Sequence, residues 1–170
     1  MNASRRHFLR GVSTAAVTVA VAGCNGDGNG NGNGDSPDSG DDSDSTTPES
    51  RVDSYLSEND ANLYDGTIED LTGQQEVTIA VGAGDDGLAY DPAAARIDLD
   101  TTVVWEWTGR GGRHNVNSES EIGSDFEYAS GELIGEAGHT WSYQFEETGV
   151  AVYYCQAHRA VGHHGGLIVE

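Results

Sequence analysis

The sequence predicts an all-β fold, an antiparallel sandwich or barrel that follows a signal segment and a flexible linker. Three observations carry this. Between residues 76 and 170 several short stretches alternate apolar with polar residues or are rich in β-branched and aromatic types. Gly-rich turns such as "GAGDDG", "TGRGGR" and "EETG" separate them. No 3.6-residue period runs long enough for a major helix.

Taken in chain order, the elements begin with an export signal. In "SRRHFLRGVSTAAVTVAVAGC", Arg5, Arg6 and Arg10 form a positive start, and Val12 to Ala22 form an apolar run of eleven residues. That run is too short to span a bilayer, so residues 1–23 read as a signal peptide. The Arg5-Arg6 pair with Phe8 and Leu9 resembles a twin-arginine signal. Val21-Ala22-Gly23-Cys24 resembles a lipobox, in which Cys24 carries lipid and becomes the new N-terminus; plain cleavage would leave a free thiol instead. Residues 24–51 are Gly, Asn, Asp and Ser with almost nothing to bury, as in a flexible tether. Its expected root-mean-square reach is roughly 25 to 30 Å.

The folded part is expected over residues 52–170. "VDSYLSENDANLYDG" reads as starting with a short helical turn, followed by a chain turn at Asp65-Gly66. Strands are expected at 76–81, 95–100, 102–109, 139–145, 149–155 and 166–170. In the fourth, Trp141, Tyr143 and Phe145 share one face, which reads as core.

Charge narrows the function. The chain has 8 Lys+Arg, all arginine, against 29 Asp+Glu, a net charge of -21. Nucleic acid and anionic lipid surfaces would be repelled. An acidic surface keeps a protein soluble, and high salt would screen its self-repulsion. No carboxylate pair points to hydrolytic work.

The chemistry concentrates at the C-terminus. "YYCQAHRAVGHHGGLIVE" holds one of the two cysteines and three of the six histidines. If Cys24 is lipidated, Cys155 has no disulfide partner, so it is reactive, metal-bound or paired between chains. The chain has no Cys-x-x-Cys-His, which excludes haem attachment of that type, and a nucleophilic Cys–His pair is conceivable. The crowded imidazoles favour metal. A second loop, "TGRGGRHNV", supplies His114. One thiolate and two imidazoles from two loops at one end of a sandwich form a copper electron-transfer arrangement.

At these residues the chain resembles the halocyanins, blue copper proteins of haloarchaea related to plastocyanin. The resemblance rests on "VVWEWTGRGGRHNV", "GEAGHTW" and "VYYCQAHRAVGHHGGLIVE". It implies a Greek-key cupredoxin sandwich, one copper ion, no enzymatic activity, and single-electron carriage between transient protein partners at the outer face of a membrane. It implies His114, Cys155 and His158 as ligands, with Asn115 hydrogen-bonding across to the other ligand loop. It also implies a monomer, and an apolar patch around His158 formed by Ala157, Ala160 and Val161. Arg110, Arg113 and Arg159 would either form a positive rim for an acidic partner or offset local carboxylates.

One departure stands out. Where the family pattern has methionine, after the second loop histidine with four residues between them, this chain has His163, with His164 beside it as a competitor; its sole methionine is Met1. An imidazole there favours Cu(II) and so a lower reduction potential than in a methionine-ligated relative. A histidine titrating near neutrality would also let acid compete with copper and raise the potential. The rival functions are copper storage or delivery, structural zinc, for which this donor set also suffices, and copper catalysis at an open position.

Overall fold

The computed structural model describes residues 47–170. The expected signal segment, Cys24 and most of the expected linker lie outside the described residues. The first element is helix α1 (Pro48–Glu58). Its start is set by Thr47 as N-cap, whose hydroxyl accepts the Ser50 N–H at 3.2 Å, with Pro48 in the first turn and Glu49 near the positive end of the helix dipole. The helix begins ahead of residue 52, where the folded part is expected, and runs three turns instead of one. The stretch around Pro48 is so polar that composition alone reads it as linker.

Ten strands follow: β1 (Glu69–Asp70), β2 (Glu76–Ala83), β3 (Ala89–Asp91), β4 (Ala94–Ile97), β5 (Thr102–Trp107), β6 (Asn117–Ser118), β7 (Tyr128–Ala129), β8 (Thr140–Gln144), β9 (Gly149–Tyr154) and β10 (His164–Val169). They form two sheets, one ordered β1-β4-β10-β9-β6-β7 and the other β3-β2-β5-β8. The all-β sandwich is therefore as expected, with one difference. Three pairings, β1 with β4, β4 with β10 and β2 with β5, are parallel. Alternation of side chains reports which face is buried but not strand direction, which the connections between sheets decide.

The core lies between the sheets. Val77, Ile79 and Val81 of β2 face inward beside Val103, Trp105 and Trp107 of β5. Trp105 lies opposite Trp141 of β8. The expected aromatic stripe holds: Phe145 is buried, while Trp141 and Tyr143 are half-buried against the core.

Strands β9 and β10 are buried on both faces because α1 lies across the outside of their sheet. Ala151, Tyr153, Leu167 and Val169 enter the inter-sheet core. Val150, Val152 and Ile168 instead pack with Val52 and Leu56 of the helix. Two glycines in β10 permit this closeness. A Cβ on Gly165 would stand 2.4 Å from the Tyr153 ring, and one on Gly166 would stand 2.9 Å from Val52. Leu56→Ala should therefore destabilise the metal-free protein by about 2–5 kcal/mol, the usual cost of a core cavity, read as a lower urea midpoint.

Candidate metal centre

Two loops at one pole of the sandwich carry the candidate ligands. The first leaves β5. His114 is pinned by paired backbone hydrogen bonds with Ile134 (2.7 and 2.8 Å), and its carbonyl accepts the Trp107 indole N–H at 3.0 Å. The His114 Nε2 lies 2.7 Å from the Arg110 carbonyl. A carbonyl can only accept, so Nε2 carries the proton and Nδ1 presents its lone pair to the centre. Gly82 makes room for this contact: it sits at φ +83°, and a Cβ there would lie 2.7 Å from the Arg110 oxygen and 3.3 Å from Nε2.

The second loop joins β9 to β10. Residue parity decides what enters the centre. Ala151, Tyr153 and then Cys155 face the inter-sheet core, so the thiol is buried at the strand's end. The Cys155 N–H donates to the His163 carbonyl at 3.0 Å, and the His158 N–H donates to the Cys155 carbonyl at 3.1 Å. A 3-10 turn (Arg159–Val161) separates His158 from His163. On the return strand His164, like Gly166 and Ile168, faces α1, which leaves the preceding His163 on the core side.

His114, Cys155, His158 and His163 offer four donor atoms that all lie within 4.8 Å of one another. Cys155 Sγ is 3.8 Å from His114 Nδ1 and 3.5 Å from His158 Nδ1, and the two Nδ1 atoms are 3.1 Å apart. Donors bound at 2.0–2.3 Å around one ion at about 100–120° lie roughly 3.1 to 3.9 Å apart, so these three separations fit a single transition metal. The two ring nitrogens of His163 are buried without any hydrogen-bond partner. An orphaned imidazole inside a donor cluster is what an ion-binding position requires. His164 is outside the group because both its nitrogens are engaged. Its Nε2–H donates to the Arg159 carbonyl at 2.8 Å, and its Nδ1 accepts from the Tyr55 hydroxyl at 2.8 Å.

Burial favours the neutral form of His163, His114 and His164. Burial, then the neighbouring His114, His158 and His164, lowers the His163 pKa to about 3. Burial likewise lowers those of His114 and His164. This corrects the expectation that His163 titrates near neutrality; desolvation overrides the ordinary value. The sign for stability follows. Between about pH 6.5 and 3 the unfolded chain binds protons that the folded one refuses, so stability falls as pH falls through that window. From His163 alone the metal-free protein should lose about 3 kcal/mol between pH 7.5 and 4.5. Urea unfolding at the two pH values checks this, and His163→Met should flatten the dependence.

Around the centre, Asn115 is buried, and its Oδ1 accepts the Gln156 N–H at 2.9 Å, joining the two loops. Half-buried His158 adjoins exposed Ala157, Ala160 and Val161. Arg110 donates to the Asp85 carbonyl at 2.7 Å, and Arg159 lies over the Tyr154 ring at 4.5 Å. His139 packs edge-on against Trp107, away from the donor group. Sequence reasoning passed over Tyr90. Its ring lies 4.3 Å from that of His163, and its hydroxyl donates to the Asn115 carbonyl at 2.7 Å. Nothing in "GLAYDP" distinguishes this tyrosine from ordinary core.

Comparison with known proteins gives concordant matches. Residues 77–170 match the profile of the copper binding proteins, plastocyanin/azurin family. The chain is 55% identical over 124 residues to halocyanin of Natronomonas pharaonis, which covers 73% of this chain and 74% of that one. It is 30% identical over 99 residues to plastocyanin of Scenedesmus fuscus, covering 56% of this chain and 100% of the other. Among solved structures, the purple cupredoxin from Nitrosopumilus maritimus superposes with a TM-score of 0.45 at 25% identity, over 55% of this chain and 99% of that one.

Proposed function

This chain belongs to the plastocyanin/azurin family of copper binding proteins, and from that premise we propose that it is a one-electron carrier in which Cys155, His114, His158 and His163 hold a single copper ion. The observation that carries the reading is the donor group itself. Three donors stand at single-ion spacing, and a fourth donor, the His163 imidazole, is buried among them with no hydrogen-bond partner. Copper, when bound, supplies a one-electron couple at modest potential.

The chain's residues do the rest. The thiol of Cys155 ionises on binding and, as the soft donor, favours the reduced ion. The Arg110 carbonyl and the Ile134 bridge fix the His114 ring, so little moves when charge changes. The core side chains exclude water. Half-buried His158, framed by the exposed Ala157, Ala160 and Val161, is the edge through which electrons pass to a transient partner. Arg110, Arg113 and Arg159 add positive charge around that pole.

We further propose that the protein acts at the outer face of a membrane, held by lipid on Cys24. The twin-arginine-like start, the lipobox-like Val21–Cys24 and the polar tether support this. Among the described residues no helix is long and apolar enough to cross a bilayer. Intact-mass measurement of membrane-extracted protein should find an N-terminal cysteine carrying lipid.

The function is tested by the optical and paramagnetic-resonance spectra of the copper-loaded protein with voltammetry. A strong thiolate-to-copper absorption and one reversible one-electron wave are expected. A second reading, structural zinc, draws on the same observation, because one thiolate and three imidazoles satisfy a closed tetrahedral site. Protein purified colourless with stoichiometric zinc, and unable to take copper in its place, would decide for it.

A further inference from the structure

We propose that Tyr55 and Asn62, which precede the family-matched residues 77–170, are positioning residues of the copper centre: they hold the ligand loop from outside. The inference rests on the copper reading above. The loop between His158 and His163 is a single 3-10 turn with few hydrogen bonds of its own. The N–H groups of Val161 and His163 both donate to the His158 carbonyl (3.1 and 3.3 Å). The Gly162 carbonyl also accepts the His164 N–H at 3.0 Å, and the other loop carbonyls need donors from elsewhere.

The segment that starts with α1 supplies them. The Asn62 backbone N–H donates to the Gly162 carbonyl at 2.8 Å. The Asn62 side-chain amide donates to the Val161 carbonyl and to the Leu88 carbonyl, each at 2.8 Å. It thereby ties the ligand loop to the turn before Tyr90, the residue that packs on His163. Tyr55 acts through His164. Because the Arg159 carbonyl fixes the proton on His164 Nε2, His164 Nδ1 accepts from the Tyr55 hydroxyl. Arg159, Val161 and Gly162, three of the four residues between the loop's two candidate ligands, are thus held from residues 55–62. The fit is close: Gly162 sits at φ +80°, and a Cβ there would meet the Asp60 carbonyl at 2.4 Å.

The consequence concerns electron transfer. Cu(I) and Cu(II) prefer different ligand arrangements, and a loop that cannot relax imposes one compromise on both. Releasing it lets His158 and His163 follow the ion, which raises the reorganisation accompanying each transfer.

Two readouts separate this proposal from the copper assignment. The first uses metal-free protein: amide hydrogen exchange in wild type, Asn62→Ala, Tyr55→Phe and, as control, Tyr64→Phe. Tyr64, beyond the end of α1, donates to Asp53 of that helix and to no loop residue. Exchange at Val161, His163 and His164 should quicken about fivefold to tenfold per hydrogen bond lost, with β2 and β5 unchanged and the control like wild type. The second uses copper-loaded protein: the copper hyperfine splitting should change, and electron self-exchange should slow about tenfold, in the two variants but not in the control. Unchanged loop exchange, exchange in β2 and β5 quickened as much as in the loop, or faster loop exchange with unaltered splitting and self-exchange each overturns the proposal. Absence of a thiolate–copper spectrum from wild type would instead overturn the copper reading, while the metal-free measurement still reports on the loop.

Discussion

Replacing His163 by Met should raise the reduction potential of the copper-loaded protein by roughly 60 to 120 mV, since each tenfold shift in preference for Cu(I) over Cu(II) is worth about 59 mV for a single electron. Thioether is a softer and weaker donor than imidazole, so the substitution withdraws support from Cu(II). The position can take the change. His163 is fully buried with two unpartnered nitrogens, and methionine removes that unsatisfied polarity while filling a similar volume. The Tyr90 ring, 4.3 Å from the imidazole, offers a favourable contact for sulfur. The copper absorption should also move toward that of a trigonal site. Because burial holds the His163 pKa to about 3, the wild-type potential should not respond through titration of this residue between pH 6 and 8. Voltammetry of both proteins across that range is the measurement, and identical potentials would remove His163 from the donor set.

Cys155→Ser should abolish the strong visible absorption and lower copper affinity by more than about 100-fold, because even loss of a group that merely orients a ligand commonly costs 10–100-fold. A hydroxyl does not ionise near neutrality and is a hard donor, so it neither replaces the thiolate nor retains Cu(I). The metal-free fold should survive. Cys155 closes β9 facing the core, and an unpaired buried hydroxyl costs about 1–3 kcal/mol, within the usual stability of a domain. Circular dichroism like that of wild type together with a colourless copper-treated protein is the expected pair of results. Retained colour would place the thiolate outside the centre.

The sandwich was legible wherever a strand is long enough to show a period. The stretches that became β2, β5, β8 and β9 alternate or run apolar over five residues or more. β1, β3, β6 and β7 are two or three residues long and carry no period to read. The helix was read as one turn from residue 52, inside its true span Pro48–Glu58, although Thr47-Pro48-Glu49 is a start signal. Its apolar face is only Val52, Tyr55 and Leu56, too sparse to outweigh the polar composition around it.

The sequence by itself determined which residue types gather at the C-terminal loop, the place of His114 in a second loop, and the histidine where a methionine is expected. Spacing along the chain suffices for these because the donors sit at the ends of strands that announce themselves. Only the tertiary structure separated His163 from His164. One residue of parity sends the first into the core and the second against α1, where Tyr55 and the Arg159 carbonyl occupy both its nitrogens. Only the tertiary structure, too, moved His163 away from neutral titration, brought Tyr90 onto His163 and set Tyr55 and Asn62 against the ligand loop and its flank. Those effects come from burial and from contacts between segments far apart in the chain, and neither leaves a mark on local sequence.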